Sequence, residues 1–254
     1  MVALTASLAF IGGLAAGSFV SVIAHRVPRH LSIVGPRSQC PECGTQIAAY
    51  DNVPVISWLL LRGRCRSCGK PISGRYPAIE LSLALAFVIT ALVLRDDPGE
   101  LALGLVFVAT LTAVTVTDLE QRIIPNRILL GSALIGIAIA AVADPSSLPE
   151  RAIAALAAGG LLLGAALAYP SGMGMGDVKL AALMGLYLGS AVAPAVLVAL
   201  IAGALVGVGI ILREGAAGRK HAVPFGPFLA LGGIVGLLAG DQLVDWYLKT
   251  FLHR

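Results

Sequence analysis

The chain has 254 residues, 57% of them hydrophobic and 13% charged, where soluble domains carry about 25% charged residues. Its mean hydropathy of +0.90 excludes a soluble enzyme and a disordered chain, and four cysteines are too few for a disulfide scaffold. The net charge of +4 and the pI near 9.0 fit the biased loop charge of a membrane protein better than a nucleic-acid surface, so no nucleic-acid partner is expected.

A bilayer core about 30 Å thick takes roughly 20 apolar residues per helical span. Runs free or nearly free of charge fall at about 2–24, 78–94, 101–117, 128–143, 152–169, 180–192, 194–212 and 222–240. A segment isolated in lipid must satisfy its own backbone, and these Leu/Ala/Val-rich runs lack the alternation of barrel strands. The expected fold is therefore an all-α polytopic membrane protein with about eight transmembrane helices. The uncharged stretch from Leu180 to Leu212 is divided at Gly189, Ser190 and Pro194, whose residue types favour a turn. Three segments result: a first transmembrane helix over 1–24, a cytoplasmic loop domain over 25–76, and a membrane core of about seven helices over 77–254.

Orientation follows from Lys and Arg, which are retained on the cytoplasmic side. With the N-terminus outside, only Arg95, Arg151, Lys249 and Arg254 of the 18 basic residues fall outside. Nothing basic precedes Ala3, which disfavours a cleavable signal peptide.

All four cysteines lie in the first cytoplasmic loop, as Cys40-Pro41-Glu42-Cys43-Gly44 and Cys65-Arg66-Ser67-Cys68-Gly69. Each C-x-x-C turn points two sulfurs to one side, and the following Gly allows the positive φ that aims backbone N–H groups at them. Four thiolates make a closed tetrahedral site, so Cys40, Cys43, Cys65 and Cys68 are expected to hold a structural zinc that staples a loop with little core of its own. Two disulfides, or four free thiols, are the alternatives; a reducing compartment disfavours the first.

Two acidic sites fall at the cytoplasmic ends of spans. The third span ends in Thr117-Asp118-Leu119-Glu120-Gln121-Arg122, with Pro125 stopping the helix; Gly172-Met173-Gly174-Met175-Gly176-Asp177 opens the sixth. Ionisable groups at that depth are functional candidates by default. Two aspartates brought together cannot easily both ionise, so one can act as acid while the other activates water. Gly174 and Gly176 would leave open backbone for an extended peptide. Equally, Asp177 could be a helix N-cap, and Asp118 with Glu120 a solvated helix end. Glu80 is either an acid complementing the dipole of its helix or a polar group lining the site.

These segments resemble the prepilin peptidases, or type IV leader peptidases, of the GxGD class of membrane aspartic proteases. GSFVSVIAHRVP at 17–28, CPECG, NVPVISWLLLRGRCRSCG, ISGRYPAIE at 72–80, DLEQRIIPN at 118–126, GMGMGDVKL at 172–180 and VPFGPFLALGG at 223–233 follow in the family's order. The resemblance implies that Asp118 and Asp177 are the catalytic aspartates; Gly174, Gly176, Glu80 and Glu120 are expected, from their own chemistry and position, beside the substrate. It implies a multi-pass protein of the cytoplasmic (inner) membrane that cleaves the basic leader of type IV prepilins or pseudopilins at the cytoplasmic face. N-methylation of the new N-terminus with S-adenosylmethionine would follow. Ser21 stands where many members carry Asn, and Glu120 where many carry a second aspartate. For a sulfonium-bearing methyl donor the loop offers Glu42, Tyr50, Asp51, Trp58 and Tyr76. The competing classes are another GxGD protease cutting inside transmembrane helices, and a non-enzymatic transporter or scaffold.

Overall fold

The structure, a computed structural model, describes residues 2–170, 172–215 and 223–252. Ser171, Ala222, and Arg219, Lys220 and Arg254 of the charge count lie outside the described residues. Eight long helices form: α1 (Val2–Arg26), α3 (Arg75–Val93), α4 (Pro98–Gln121), α5 (Asn126–Ala143), α6 (Leu148–Ala168), α7 (Met175–Leu188), α8 (Val192–Glu214) and α9 (Gly226–Tyr247). A short α2 (Ile56–Leu60) lies in the loop, and no strand longer than an isolated bridge occurs among the described residues. Seven stretches are long and apolar enough to cross a membrane, and one of them, Met175–Glu214, contains both α7 and α8. The expected division of that stretch is present: α7 stops at Leu188, and Gly189 turns the chain at φ 54° before α8.

The chain forms two compact units, residues 1–95 and 96–254. In the first, α1 and α3 lie side by side because glycines let their backbones approach. A Cβ at Gly17 would stand 2.6 Å from the Cα of Glu80, and one at Gly13 2.5 Å from the Cα of Ala84. The Ser21 hydroxyl, buried in the same face, donates to the Gly17 carbonyl at 3.1 Å.

The second unit is built around Leu, Ala and aromatic side chains of α4 to α9. Asp97 starts α4, its carboxylate accepting the N–H groups of Gly99 and Glu100, and Pro98 sits at N1, where no N–H is missed. Tyr187 of α7 stacks on Phe107 of α4 at 4.9 Å, and its hydroxyl donates to the Ser132 carbonyl at 2.7 Å. Arg151 of α6 donates to the Tyr187 carbonyl at 2.6 Å and pairs with Glu100, while Glu150 accepts the Ser190 N–H at 3.1 Å. Those bonds cap the C-terminus of α7, whose last carbonyls otherwise lack partners.

Several boundaries differ from expectation, and two of the helix starts have a local cause. α7 begins at Met175, not Leu180, because Asp177 at the third helical position satisfies a free N–H group there, a start signal that outweighs the local charge. α9 begins at Gly226 rather than 222, with Pro227 in its first turn.

Gly185 of α7 packs so tightly on α6 that a Cβ would lie 2.5 Å from the backbone C and O of Ala154. Gly185→Ala is therefore expected to destabilise the protein by about 1–3 kcal/mol, read as a lower midpoint of thermal unfolding in detergent.

Candidate active site and metal centre

α4 carries Asp118 to its last turn and ends at Arg122, which adopts φ 54° with its N–H on the Asp118 carbonyl at 2.9 Å. Pro125 then opens α5, so a short linker turns the chain without continuing the helix. The Asp118 side chain is buried, and its Oδ2 accepts the backbone N–H of Gly226 at 2.8 Å. Gly226 is the first residue of α9, where backbone N–H groups are unspent and the helix dipole favours a negative charge. A Cβ at Gly226 would stand 2.6 Å from Asp118 Oδ2, so any other residue there would push the carboxylate aside. Gly226 lies in the VPFGPF segment but carries no reactive group, so residue chemistry alone gives no reason to single it out.

Asp177 lies in the first turn of α7. Its Oδ2 accepts the Gly174 N–H at 3.2 Å, and its own N–H donates to the Gly174 carbonyl at 3.1 Å. It is thus the third helical residue, with Gly174 at the N-cap position. α7 is docked beside the end of α4 by two contacts. Gly176 faces the Ile124 side chain, which a Cβ would meet at 3.0 Å, and Lys179 Nζ donates to Asn126 Oδ1 at 3.0 Å. The glycines serve the turn itself: both backbone groups of Gly174 are engaged with Asp177, and Gly176 is helical.

The other predicted residues fall elsewhere. Glu120 is exposed, two positions along α4 from buried Asp118 and so on a different face. Glu80 belongs to the first unit, buried in the second turn of α3 with Oε2 accepting the Val55 N–H at 2.7 Å. A first-turn dipole role does not describe it.

The cysteine loop folds as two matching turns. Gly44 and Gly69 both adopt positive φ, at 68° and 69°, and return their N–H groups to the carbonyls of Cys40 and Cys65 at 2.9 Å. Cys40 N–H donates to Thr45 and Cys65 N–H to Lys70. The four sulfurs lie within 4.8 Å of one another, with Cys40 and Cys68 at 3.8 Å. A tetrahedral ion with bonds of about 2.3 Å needs sulfurs about 3.8 Å apart, so the donor set could hold a metal ion. Hydrogen bonds from Thr45 bring the Cys43 thiol down to about 6. The Lys70 N–H favours the Cys68 thiolate, but desolvation and the other three cysteines push that thiol up to about 11. Asp51 ties the second turn to the rest of the loop by a bidentate pair with Arg66, at 2.7 and 2.8 Å, which holds its carboxyl below the usual range.

Residues 11–94 match the Bacterial Peptidase A24 N-terminal domain, and residues 105–211 match the Type IV leader peptidase family. A Prepilin leader peptidase/N-methyltransferase of Aeromonas hydrophila is 37% identical over 277 residues, covering 97% of this chain and 94% of the relative. Proteins of the same name from Bacillus subtilis (strain 168) and Dichelobacter nodosus are 37% and 34% identical. The first pairing covers 97% of this chain and 99% of the relative, the second 92% of each. No solved structure matches the chain.

Purified protein should hold about one metal ion per chain. Elemental analysis should find that ion reduced by Cys43→Ser or Cys68→Ser; a metal-free protein with four freely alkylated thiols would exclude the centre.

Proposed function

The chain belongs to the type IV leader peptidase family, and on that footing we propose that it removes the basic leader of type IV prepilins or pseudopilins with Asp118 and Asp177 as its catalytic pair. The observation that carries this is their convergence. Two helix termini, those of α7 and α9, give each carboxylate one backbone N–H, and the contacts of Gly176 with Ile124 and of Lys179 with Asn126 dock the first turn of α7 beside the end of α4. Family membership favours this over a transporter or scaffold.

The pair works as an acid and a base. One ionised carboxylate takes a proton from water as its oxygen attacks the scissile carbonyl carbon, while the protonated partner gives its proton to the carbonyl oxygen. Collapse of the tetrahedral intermediate breaks the C–N bond and returns a proton to the leaving amine, freeing a new N-terminus. No covalent bond to the enzyme forms. The Gly226 N–H fixes Asp118 Oδ2, so that carboxylate presents its other oxygen to the reaction.

The family's relatives carry N-methyltransferase in their names, and the new N-terminal amine is the group to be methylated, with S-adenosylmethionine as the methyl source. The protein resides in the inner membrane with its N-terminus outside, and the aspartates and loop 25–76 face the cytoplasm, as the charge distribution requires. Four thiolates with no open position suit zinc in a structural role.

Coexpression with a prepilin and a gel assay of leader removal tests the pair. Asp118→Asn and Asp177→Asn should each abolish cleavage without affecting membrane insertion, and full processing by either would remove the assignment. Gly226→Ala should lower kcat about 100-fold or more by displacing Asp118. Glu120→Gln should retain substantial activity, because its side chain lies on a different face of α4 from Asp118. Mass spectrometry of mature pilin should find the N-terminal residue methylated in the wild type and no mature product in either Asp→Asn variant.

A further inference from the structure

The ten residues from Asn52 to Leu61 carry no charge and lie between Asp51 and Arg62. Within them α2 has two faces. Ser57 and Trp58 line the cavity that the loop forms with the ends of α1 and α3. Ile56, Leu59 and Leu60 lie on the other side, within about 100° of arc, and are 53%, 60% and 78% exposed. An apolar patch on a charge-free segment marks a surface that meets something other than water. We propose that α2 is a membrane-inserted element, where the loop turns back into the bilayer and sets Ile56, Leu59 and Leu60 among lipid acyl chains.

Depth is the central observation. α1 and α3 are both long and apolar enough to cross a membrane. The N–H of Val55, the residue before α2, donates to Glu80 Oε2 at 2.7 Å, and Glu80 lies in the second turn of α3 with its backbone against Gly17 of α1. From Glu80, α3 runs thirteen residues further to Val93, just before the charged pair Arg95 and Asp96. At 1.5 Å each those residues cover about 20 Å of a hydrocarbon core about 30 Å thick. The start of α2 therefore stands about 10 Å inside the core on the loop's side, a depth at which amphipathic helices lie in a membrane interface. At the same level α1 and α3 expose Phe19 and Leu81, so the lipid that surrounds those helices is the occupant of the patch.

The backbone of the segment suits that environment. In lipid a free N–H finds no water, so each donor needs a partner within the protein. The Val53 N–H donates to Ser57 Oγ at 3.2 Å and the Val55 N–H to Glu80, while Pro54 has none to satisfy. The N–H groups of Ser57, Leu59, Leu61 and Arg62 donate to the carbonyls of Val53, Val55, Ser57 and Leu59 at 3.1, 3.0, 2.9 and 3.0 Å. Irregular backbone is tolerated at this depth where it faces protein or a cavity, and Val53 and Val55, in the turn that enters α2, line the cavity. Glu80 thereby gains a structural task, because it accepts an N–H that so short a helix cannot serve. Arg62 and Arg64, exposed directly after the apolar residues, meet lipid phosphates where the chain leaves the bilayer.

Photolabelling of the full wild-type chain tests this without any variant. In nanodiscs of phosphatidylethanolamine and phosphatidylglycerol that carry a diazirine on the acyl chain, illumination should label Ile56, Leu59 or Leu60 at a yield within about threefold of that at Phe19 and Leu81. Label on α1 and α3 with none between residues 52 and 61 would overturn the proposal. Leu60→Trp in a Trp246→Phe background adds a measure of depth, read as the difference from the Trp246→Phe parent. Lipids brominated on the acyl chain should cut the added emission at least about twofold, and aqueous iodide should leave it nearly unchanged. Quenching by iodide alone puts residue 60 in water, and quenching by neither puts it under protein; either result rejects the lipid assignment. Loss of the photolabel on adding prepilin gives the patch to the substrate and rejects it as well.

Discussion

A carboxylate carried to membrane depth must find its hydrogen-bond donors in the protein, because the surrounding hydrocarbon offers none. The bond from the Gly226 N–H to Asp118 meets that demand with the free donors of a helix end. It also ties α4 to the start of α9, and a side chain at residue 226 would displace the carboxylate from that bond. α7 uses the same device at Asp177. The second unit thus presents two helix N-termini to two acids, and the remaining packing of α4 to α9 keeps those termini in place.

The apolar runs make the membrane helices legible, and the two charge-interrupted ends, at Asp118 and Asp177, mark the proposed site. Helix starts were less legible. Charge was read as a boundary at residues 175–179, yet an acid in a first helical turn is a start signal, so α7 reaches back to Met175. Gly226 was hidden for a different reason: its contribution is a backbone N–H and a missing Cβ, neither of which a residue's chemistry announces. Glu80 was visible as an acid, but its burial depends on Val55, far enough along the chain that only the folded loop brings them together.

The cysteine loop shows how a short sequence pattern can fix geometry outright. Two C-x-x-C-G turns repeat the same backbone bonds and the same positive φ at glycine, and each ends in an isolated bridge, Gln39 with Gln46 and Arg64 with Pro71. Asp51 and Arg66 then tie the second turn to the segment that precedes α2. A loop stapled this way can hold Val55 in a conformation its own side chain disfavours.

α7 has 14 residues and its antiparallel neighbour α6 has 21, a difference of about 10 Å in length. Gly185 packs on Ala154 and Gly159 on Ala182, so α6 overhangs α7 at both ends and Asp177 lies about level with Leu163 of α6. The carboxylate is therefore set back from the end of α6 at Ala168 by about five residues, or roughly 7 Å. On the proposed role of Asp177, a scissile peptide has to leave its own helix and reach that depth as an extended segment, and the hydrolytic water has to come as deep.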